Sequence, residues 1–231
     1  MLCRILITAL CLLHHSHPTF CCDFEQEIVN SNDSIPFSTR AHWMRAANQA
    51  LFDLDSPCPL RAFGTVIVNH TAPGLGELVC MGINRMSNTG NPTMHGEIVA
   101  IGNCSSVLTA ENGKYRLTPE EALNAFSELS LYTNAEACPM CASAIRFAGF
   151  KEYIYGTSIN TLISSGWQQI RIRSSCIFNS SYGLLTTTKL IAGILSNETD
   201  PLFKWQYNPD NPCPSGCQRT EPGSNCEKIL E

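Results

Sequence analysis

Two short clusters of metal-binding residue types constrain this chain more than any other feature. They are His95-Gly96-Glu97 and Cys138-Pro139-Met140-Cys141, with 40 residues between them. Each lies where a helical pattern begins, and Pro139 suits the first position of a helix because its missing N–H costs nothing there. Cys138 and Cys141 are three residues apart and therefore share a helix face. One imidazole and two thiolates give Zn²⁺ three protein ligands, and a fourth position open to water is typical of a catalytic zinc site.

Glu97 has a different chemical role from the three ligands. Residues two apart in a helix point to different faces, so His95 and Glu97 address one point only in the first turn, where side chains bend towards the end of the axis. A carboxylate beside water activated by zinc accepts a proton from that water and passes it to the substrate and the leaving group. His-x-Glu followed by Cys-x-x-Cys is the signature of zinc deaminases. The sequence therefore predicts hydrolytic deamination, with Glu97 as acid and base and Zn²⁺ on His95, Cys138 and Cys141.

Each of these residues also has an ordinary structural interpretation. His95 could be a partly buried histidine with satisfied hydrogen bonds. Cys138 and Cys141 could form a local disulfide or a redox pair, as Cys-x-x-Cys does in many exported chains. The joint occurrence of the two clusters in matching helix contexts favours the zinc interpretation over both alternatives.

The order of secondary-structure patterns indicates an α/β domain. A length of 231 residues suits one substantial domain with appendages. The main patterns follow the order αββαβαβα, which is typical of three layers with helices on both sides of a sheet. Thr39 is the expected N-cap of the first helix, and Ile98, Ile101 and Gly102 are expected to face inward from the second. The predicted helices cover 39–54, 95–108, 119–126, 141–147 and 162–167, and the predicted strands cover 63–68, 77–81, 129–133 and 152–156.

The two ends of the chain differ in composition from the part between them. A charge at Arg4, a run of Ile, Leu, Thr, Ala and Cys over 5–13 and a polar His cluster have the layout of a secretory signal peptide. The alternative is a buried N-terminal strand. The run is too short to cross a bilayer, so a secreted mature protein without a membrane anchor is expected. The predicted segments are a signal peptide (1–21), an N-terminal extension (22–38), a zinc deaminase domain (39–200) and a Cys/Pro-rich C-terminal tail (201–231).

The 13 cysteines divide into groups under this interpretation. Cleavage after Cys21 removes three, and the metal takes Cys138 and Cys141. An oxidising compartment lets the others pair, although the sequence leaves their connectivity open. The eight that remain for disulfides are Cys22, Cys58, Cys80, Cys104, Cys176, Cys213, Cys217 and Cys226. Export also fits the five N-x-[ST] glycosylation sequons, at Asn32, Asn69, Asn103, Asn179 and Asn197.

Charge limits the classes of partner. The chain carries 15 basic and 20 acidic residues, a net charge of −5 with histidine neutral. It lacks the broad basic surface of a duplex-binding protein. Nucleic acid is therefore not expected as the main partner.

The sequence resembles a known family at these motifs. Residues 91–97, Asn-Pro-Thr-Met-His-Gly-Glu, and 136–141, Glu-Ala-Cys-Pro-Met-Cys, look like the cytidine deaminase-like superfamily, in particular its branch of guanine deaminases, fungal cytosine deaminases and tRNA adenosine deaminases. The resemblance spans residues 39–170. It implies a central mixed five-stranded sheet between helices, zinc on the three ligands and Glu97 as proton shuttle. It also implies that Asn84 contacts the base and that amides around Ala137 and Cys138 hold the attacking oxygen, although Asn84 is also a common turn residue.

Some positions depart from the family pattern. Ala137 stands where the deaminase signature has proline, and residues 111–126 look inserted. Trp167 is expected in the core. Three C-terminal aromatics could close a pocket as a lid or anchor the tail instead: Phe203, Trp205 and Tyr207.

The function expected from the sequence is deamination of a nucleobase or nucleoside, with guanine or cytosine favoured. One alternative is activity like that of tRNA adenosine deaminases. Another is a secreted binding protein or effector that keeps the fold without catalysis, which the intact Glu97 disfavours. The expected partner is a small nucleobase or nucleoside, and a homodimer is left open.

Overall fold

The computed structural model of the protein describes residues 35–229. Its main sheet contains β1 (Gly64–Asn69), β2 (Glu77–Ile83), β3 (Ser130–Ala135), β4 (Glu152–Thr157) and β5 (Lys189–Ile191). Their spatial order is β2-β1-β3-β4-β5. β1 is antiparallel to β2 and β3, whereas β3, β4 and β5 are parallel. The mixed five-stranded sheet implied by the family resemblance is thus confirmed, and the predicted signal peptide lies outside the described residues.

The helices connect and cover these strands. They are α1 (Phe37–Leu54), α2 (Met86–Thr89), α3 (Gly96–Thr109), α4 (Pro119–Ala125), α5 (Pro139–Ala148), α6 (Ile159–Ser164), α7 (Ser174–Ser180) and α8 (Ser196–Thr199). Short 3₁₀ turns follow α4 at Phe126–Glu128 and α8 at Asp200–Phe203. Between residues 35 and 229, no helix is long and apolar enough to cross a membrane.

Alternating side chains along the strands build two separate cores, one on each face of the sheet. Val66 and Val68 of β1 belong to the cluster that contains Met44 and Leu51 of α1. Ile67, which lies between them, belongs to the cluster to which α3 and α5 contribute. Both faces of the sheet are therefore covered by helices, and the predicted three-layer α/β/α architecture is confirmed.

The first helix begins earlier than predicted. Thr39 was the expected N-cap, but the helix starts at Phe37 directly after Pro36, whose carbonyl accepts the N–H groups of Thr39 and Arg40. Pro36 is itself the N-cap, with φ −59° and an extended ψ of 148°, so the first helical residue stands two positions before the threonine. The N-cap prediction was wrong, and Thr39 is instead buried.

The second long helix, α3, differs from the prediction in which of its residues are fully buried. Gly102 is exposed, and Ala100, Cys104 and Leu108 face the core. β2 sets this orientation because it passes so close to the helix that a Cβ on Gly82 would lie 2.4 Å from the backbone nitrogen of Ala100. The inward placement of Gly102 was wrong. Ile98 and Ile101 are half-buried against the same core.

A cysteine-rich hairpin follows the main domain. β6 (Cys217–Arg219) and β7 (Cys226–Lys228) pair antiparallel, and Trp205 packs beneath them in a cluster with Cys58 and Cys226. The disulfides are Cys58–Cys217, Cys80–Cys104 and Cys213–Cys226, and Cys176 is also disulfide-bonded. Every cysteine predicted to pair that lies in the described range is therefore paired, and Cys22 falls outside that range.

Candidate metal and catalytic centre

Two helix N-termini converge on the predicted ligands. His95 is the N-cap of α3 and Cys138 is the N-cap of α5, with Pro139 at the first helical position. Cys141 lies in the first turn of α5 and is buried. The partial positive charge of each helix N-terminus favours thiolates at this point. The expectation that both clusters begin helices is confirmed.

Gly96, between His95 and Glu97, is required by close packing. A Cβ at this position would lie 2.8 Å from the carbonyl oxygen of Phe63 and 3.2 Å from the Thr65 hydroxyl. The absence of a side chain therefore lets the start of α3 lie against β1. This contact places His95 and Glu97 near the start of β1.

The three ligand atoms have the spacing of a zinc site. His95 Nδ1 lies 3.5 Å from Cys138 Sγ and 3.6 Å from Cys141 Sγ. A tetrahedral zinc with Zn–S of about 2.3 Å and Zn–N of about 2.0–2.1 Å separates nitrogen and sulfur by about 3.6 Å. Among residues 35–229, this is the group of three His, Cys, Asp or Glu ligands that could hold a metal ion. The donor set and its spacing fit zinc with one position left for another ligand.

A hydrogen bond between the two cysteines shifts their pKa values in opposite directions. The hydrogen bond from the Cys141 thiol, helped by the one with His95, lowers the pKa of Cys138 to about 4. The same hydrogen bond, together with burial, raises the pKa of Cys141. The pKa of His95 is also raised, chiefly by its hydrogen bond to Cys138. A thiolate is therefore already favoured at the position where a cation would bind.

Glu97 is buried beside this donor set. Its residue exposure is 5%, and its carboxylate interacts with the Cys141 thiol. Burial, reinforced by the Cys138 thiolate, raises the pKa of Glu97 to about 7. A carboxyl group with a pKa near neutrality can both take up and release a proton at physiological pH.

Glu136, two residues before Cys138, holds the ligand segment in place. Its carboxylate accepts the Ile159 N–H at 2.9 Å, the Ser174 N–H at 2.9 Å and the Ser174 hydroxyl at 2.8 Å. Its own N–H donates to Thr157 O. Glu136 belongs to the sequence motif, but its role could not be predicted, because its partners are 23 and 38 residues away.

The two predicted substrate contacts have different surroundings. Asn84 is half-buried and follows β2 next to the ligand segment, since the Arg85 N–H donates to Met94 O. Its Oδ1 accepts the Met86 N–H at 3.1 Å, as in a turn, while within the described chain its Nδ2 makes no hydrogen bond. Ala137 is buried, and its N–H donates to Tyr153 Oη at 2.6 Å. In this structure that amide is bonded within the protein, and its partner was not identified from the sequence.

The C-terminal aromatics are mostly anchors. Phe203 and Trp205 are buried, whereas Tyr207 is 56% exposed and lies against the Trp167 ring. The indole N–H of Trp167 donates to Phe203 O at 2.8 Å. Trp167 is therefore a core residue, as predicted, and burial of Phe203 and Trp205 agrees with the anchor interpretation rather than with a lid.

The site has the donor set and the buried glutamate of the zinc deaminases. Residues 38–157 match the family described as "Cytidine and deoxycytidylate deaminase zinc-binding region", and the chain belongs to this family. The family resemblance noted in the sequence is thereby confirmed, and zinc is the metal of the domain.

Several curated proteins are similar to the chain. The guanine deaminase of Bacillus subtilis is 31% identical over 105 residues, which are 46% of this chain and 56% of that protein. A tRNA-specific adenosine deaminase of Rickettsia typhi is 23% identical over 128 residues, 55% of this chain and 73% of that protein. The chain thus spans little more than half of the guanine deaminase.

Solved structures share the fold. A guanine deaminase from Nitrosomonas europaea superposes with a TM-score of 0.52 at 15% identity, covering 74% of this chain and 84% of that one. At this identity the likeness concerns the fold alone.

Proposed function

We propose that the chain is a zinc-dependent hydrolytic deaminase that replaces an exocyclic amine of a nucleobase or nucleoside with a carbonyl and releases ammonia. The observation that carries this proposal is the buried carboxyl group of Glu97 beside three ligand atoms spaced for zinc. A structural zinc site is usually closed by four protein ligands and has no use for such a carboxyl group. Guanine and cytosine are the favoured substrates.

The metal and Glu97 have separate roles in the proposed reaction. Zinc held by His95, Cys138 and Cys141 supplies Lewis acidity that makes water nucleophilic at neutral pH. Glu97 accepts a proton from the attacking water and delivers it to the ring nitrogen next to the amino-bearing carbon. The water oxygen becomes the carbonyl oxygen, the C–N bond breaks, and the amine leaves as ammonia after gaining the second proton of the water. One water is consumed for each ammonia released.

Asn84 is proposed as a substrate contact. Its Oδ1 is held by the Met86 N–H, which fixes the orientation of the amide and leaves Nδ2 as a donor. A fixed donor at the edge of the site suits a carbonyl oxygen or ring nitrogen of a base. Asn84→Ala is therefore expected to raise KM more than it lowers kcat.

A small substrate is preferred to tRNA on electrostatic grounds. Binding of RNA phosphates needs clustered cationic side chains, whereas the net charge of this chain is −5. The proteins similar to this chain include a tRNA-specific adenosine deaminase, so a tRNA anticodon stem-loop belongs among the substrates tested.

The test is ammonia release by the zinc-loaded protein from a panel of bases, nucleosides and this stem-loop. We expect turnover of at least one base or nucleoside and about a 10²–10⁴-fold loss in Glu97→Gln, with one zinc per chain in both proteins. Turnover of the stem-loop alone would favour the tRNA alternative. A zinc-loaded wild type inactive on the whole panel would favour a non-catalytic binding protein.

We further propose that the protein is secreted after removal of residues 1–21. The support is chemical: each cysteine between residues 35 and 229 outside the metal site is disulfide-bonded, and Cys138 and Cys141 are free. A protein with this many disulfides is typical of oxidising compartments, where disulfides form and persist. When the full chain is expressed in a secretory host, the culture medium should contain a protein that begins at Cys22. Retention inside the cell with an intact Met1 would contradict secretion.

A further inference from the structure

The segment that leads into α5 is held by a hydrogen bond from a backbone N–H to a tyrosine side chain. Residues 136–138 join β3 to α5, and Cys138 at its end must keep its sulfur 3.5 Å from His95 Nδ1. Ala137 is fully buried, and its N–H donates to the phenol oxygen of Tyr153 at 2.6 Å. The acceptor comes from β4, which lies beside β3 in the sheet.

This hydrogen bond satisfies a buried backbone N–H group that a proline at the same position would not have. Proline, the residue of the deaminase signature at this position, has no N–H and holds φ near −65° through its ring. Alanine leaves φ free and adds a donor to a buried segment, and a buried N–H without an acceptor is costly. An acceptor must therefore come from elsewhere in the fold.

The Tyr153 phenol is placed so that it cannot easily move away. The residue is completely buried, and its ring lies 5.7 Å from the Tyr155 ring and 5.3 Å from the Phe178 ring. A packed aromatic ring keeps its polar tip at one point. The hydrogen bond therefore restrains Ala137 from one side while Glu136 is held by its own backbone and side-chain partners.

We propose that Tyr153 is a positioning residue for the zinc site, acting through the Ala137 N–H to fix the Cys138 sulfur in place of a proline ring. The proposal rests on the assigned zinc ligands and not on any particular substrate. Partners that orient metal ligands contribute about 10–100-fold to metal affinity.

The test is the Kd for zinc, measured by adding zinc to metal-free protein in competition with a chelator. Tyr153→Phe removes the phenol oxygen and keeps the ring, so about a tenfold weaker Kd is expected. Tyr132→Phe is the matched control, because that phenol is also fully buried but hydrogen-bonds His70 Nε2 at 2.8 Å in the core on the other face of the sheet. We expect the control to bind zinc within about twofold of the wild type, because its phenol does not bond the ligand segment. Equal losses in both variants, or an unchanged Kd in Tyr153→Phe, would overturn the proposal.

A second variant separates the hydrogen bond from general effects of the core. Replacing Ala137 by lactic acid turns its amide into an ester and removes the donor. If the bond carries the effect, adding Tyr153→Phe to the ester protein costs no further affinity, whereas independent effects would multiply. These measurements need no substrate, so they can fail while deaminase activity stands. A wild type that binds no zinc would instead overturn the site assignment itself.

Discussion

Replacement of Glu136 by glutamine tests how strongly the fold holds the ligand segment. The carboxylate accepts the Ile159 N–H on one oxygen and the Ser174 N–H and hydroxyl on the other, with Arg173 Nε 3.7 Å away. A glutamine has one acceptor oxygen, so its NH₂ group must face an N–H donor in either orientation. The mutation also removes a negative charge whose side chain has 0% exposure.

The expected loss of stability follows from these contacts. A hydrogen bond to a charged acceptor contributes about 1.5–3 kcal/mol, and the donor left unsatisfied costs about 1–3 kcal/mol. Removal of one partner from a buried ion pair costs about 3–5 kcal/mol in other proteins. We therefore expect Glu136→Gln to lower the free energy of unfolding by about 3–5 kcal/mol.

Urea unfolding of the metal-free protein measures this difference without a contribution from zinc. Glu128→Gln is the matched control, because Glu128 is exposed and its pair with Lys151 spans 3.6 Å; less than about 0.5 kcal/mol is expected there. A loss below about 1 kcal/mol for Glu136→Gln, or one equal to the control, would refute the assigned role.

Two further predictions concern the metal and the disulfide that joins β2 to α3. Replacing both Cys80 and Cys104 by alanine opens a disulfide with a sequence separation of 24, and the loop-entropy relation gives a loss of about 3.5 kcal/mol; an unchanged urea midpoint would contradict it. Zinc at about 1,000 times its Kd should raise the free energy of unfolding by about 4 kcal/mol. Cys141→Ser should abolish most of this gain, and an equal gain in that variant would show that the metal binds elsewhere.

The grouping of the candidate ligands could be predicted from sequence because most of their spacing is local. His95 and Glu97 lie two residues apart, Cys138 and Cys141 lie three apart, and each cluster lies where a helical pattern begins. Local spacing and capping therefore define most of the donor set before any tertiary contact is known.

The support of the site could not be predicted in this way. Tyr153 meets Ala137 only because β3 and β4 pair in parallel, and Glu136 reaches Ser174 across 38 residues. Both contacts depend on strand register, which a single sequence does not reveal. Such partners become visible only when the fold brings distant segments together.

The remaining differences in the fold also have physical causes. α3 has apolar residues on several sides, so its pattern did not identify the inner face, and close approach of Gly82 decided it. β5 has three residues, Lys189–Ile191, and is too short for a strand pattern to stand out. Its place in the sheet comes from parallel pairing with β4.

Hydrolysis in water enriched in oxygen-18 tests the central claim most directly. The zinc-loaded protein is incubated with the base and nucleoside panel, and mass spectrometry of each product is compared with the ammonia released. We predict one oxygen-18 atom in the product for each ammonia, with both signals lost in Glu97→Gln. Ammonia without label in the product, or no ammonia from any member of the panel by protein that carries one zinc per chain, would contradict hydrolytic deamination at this site.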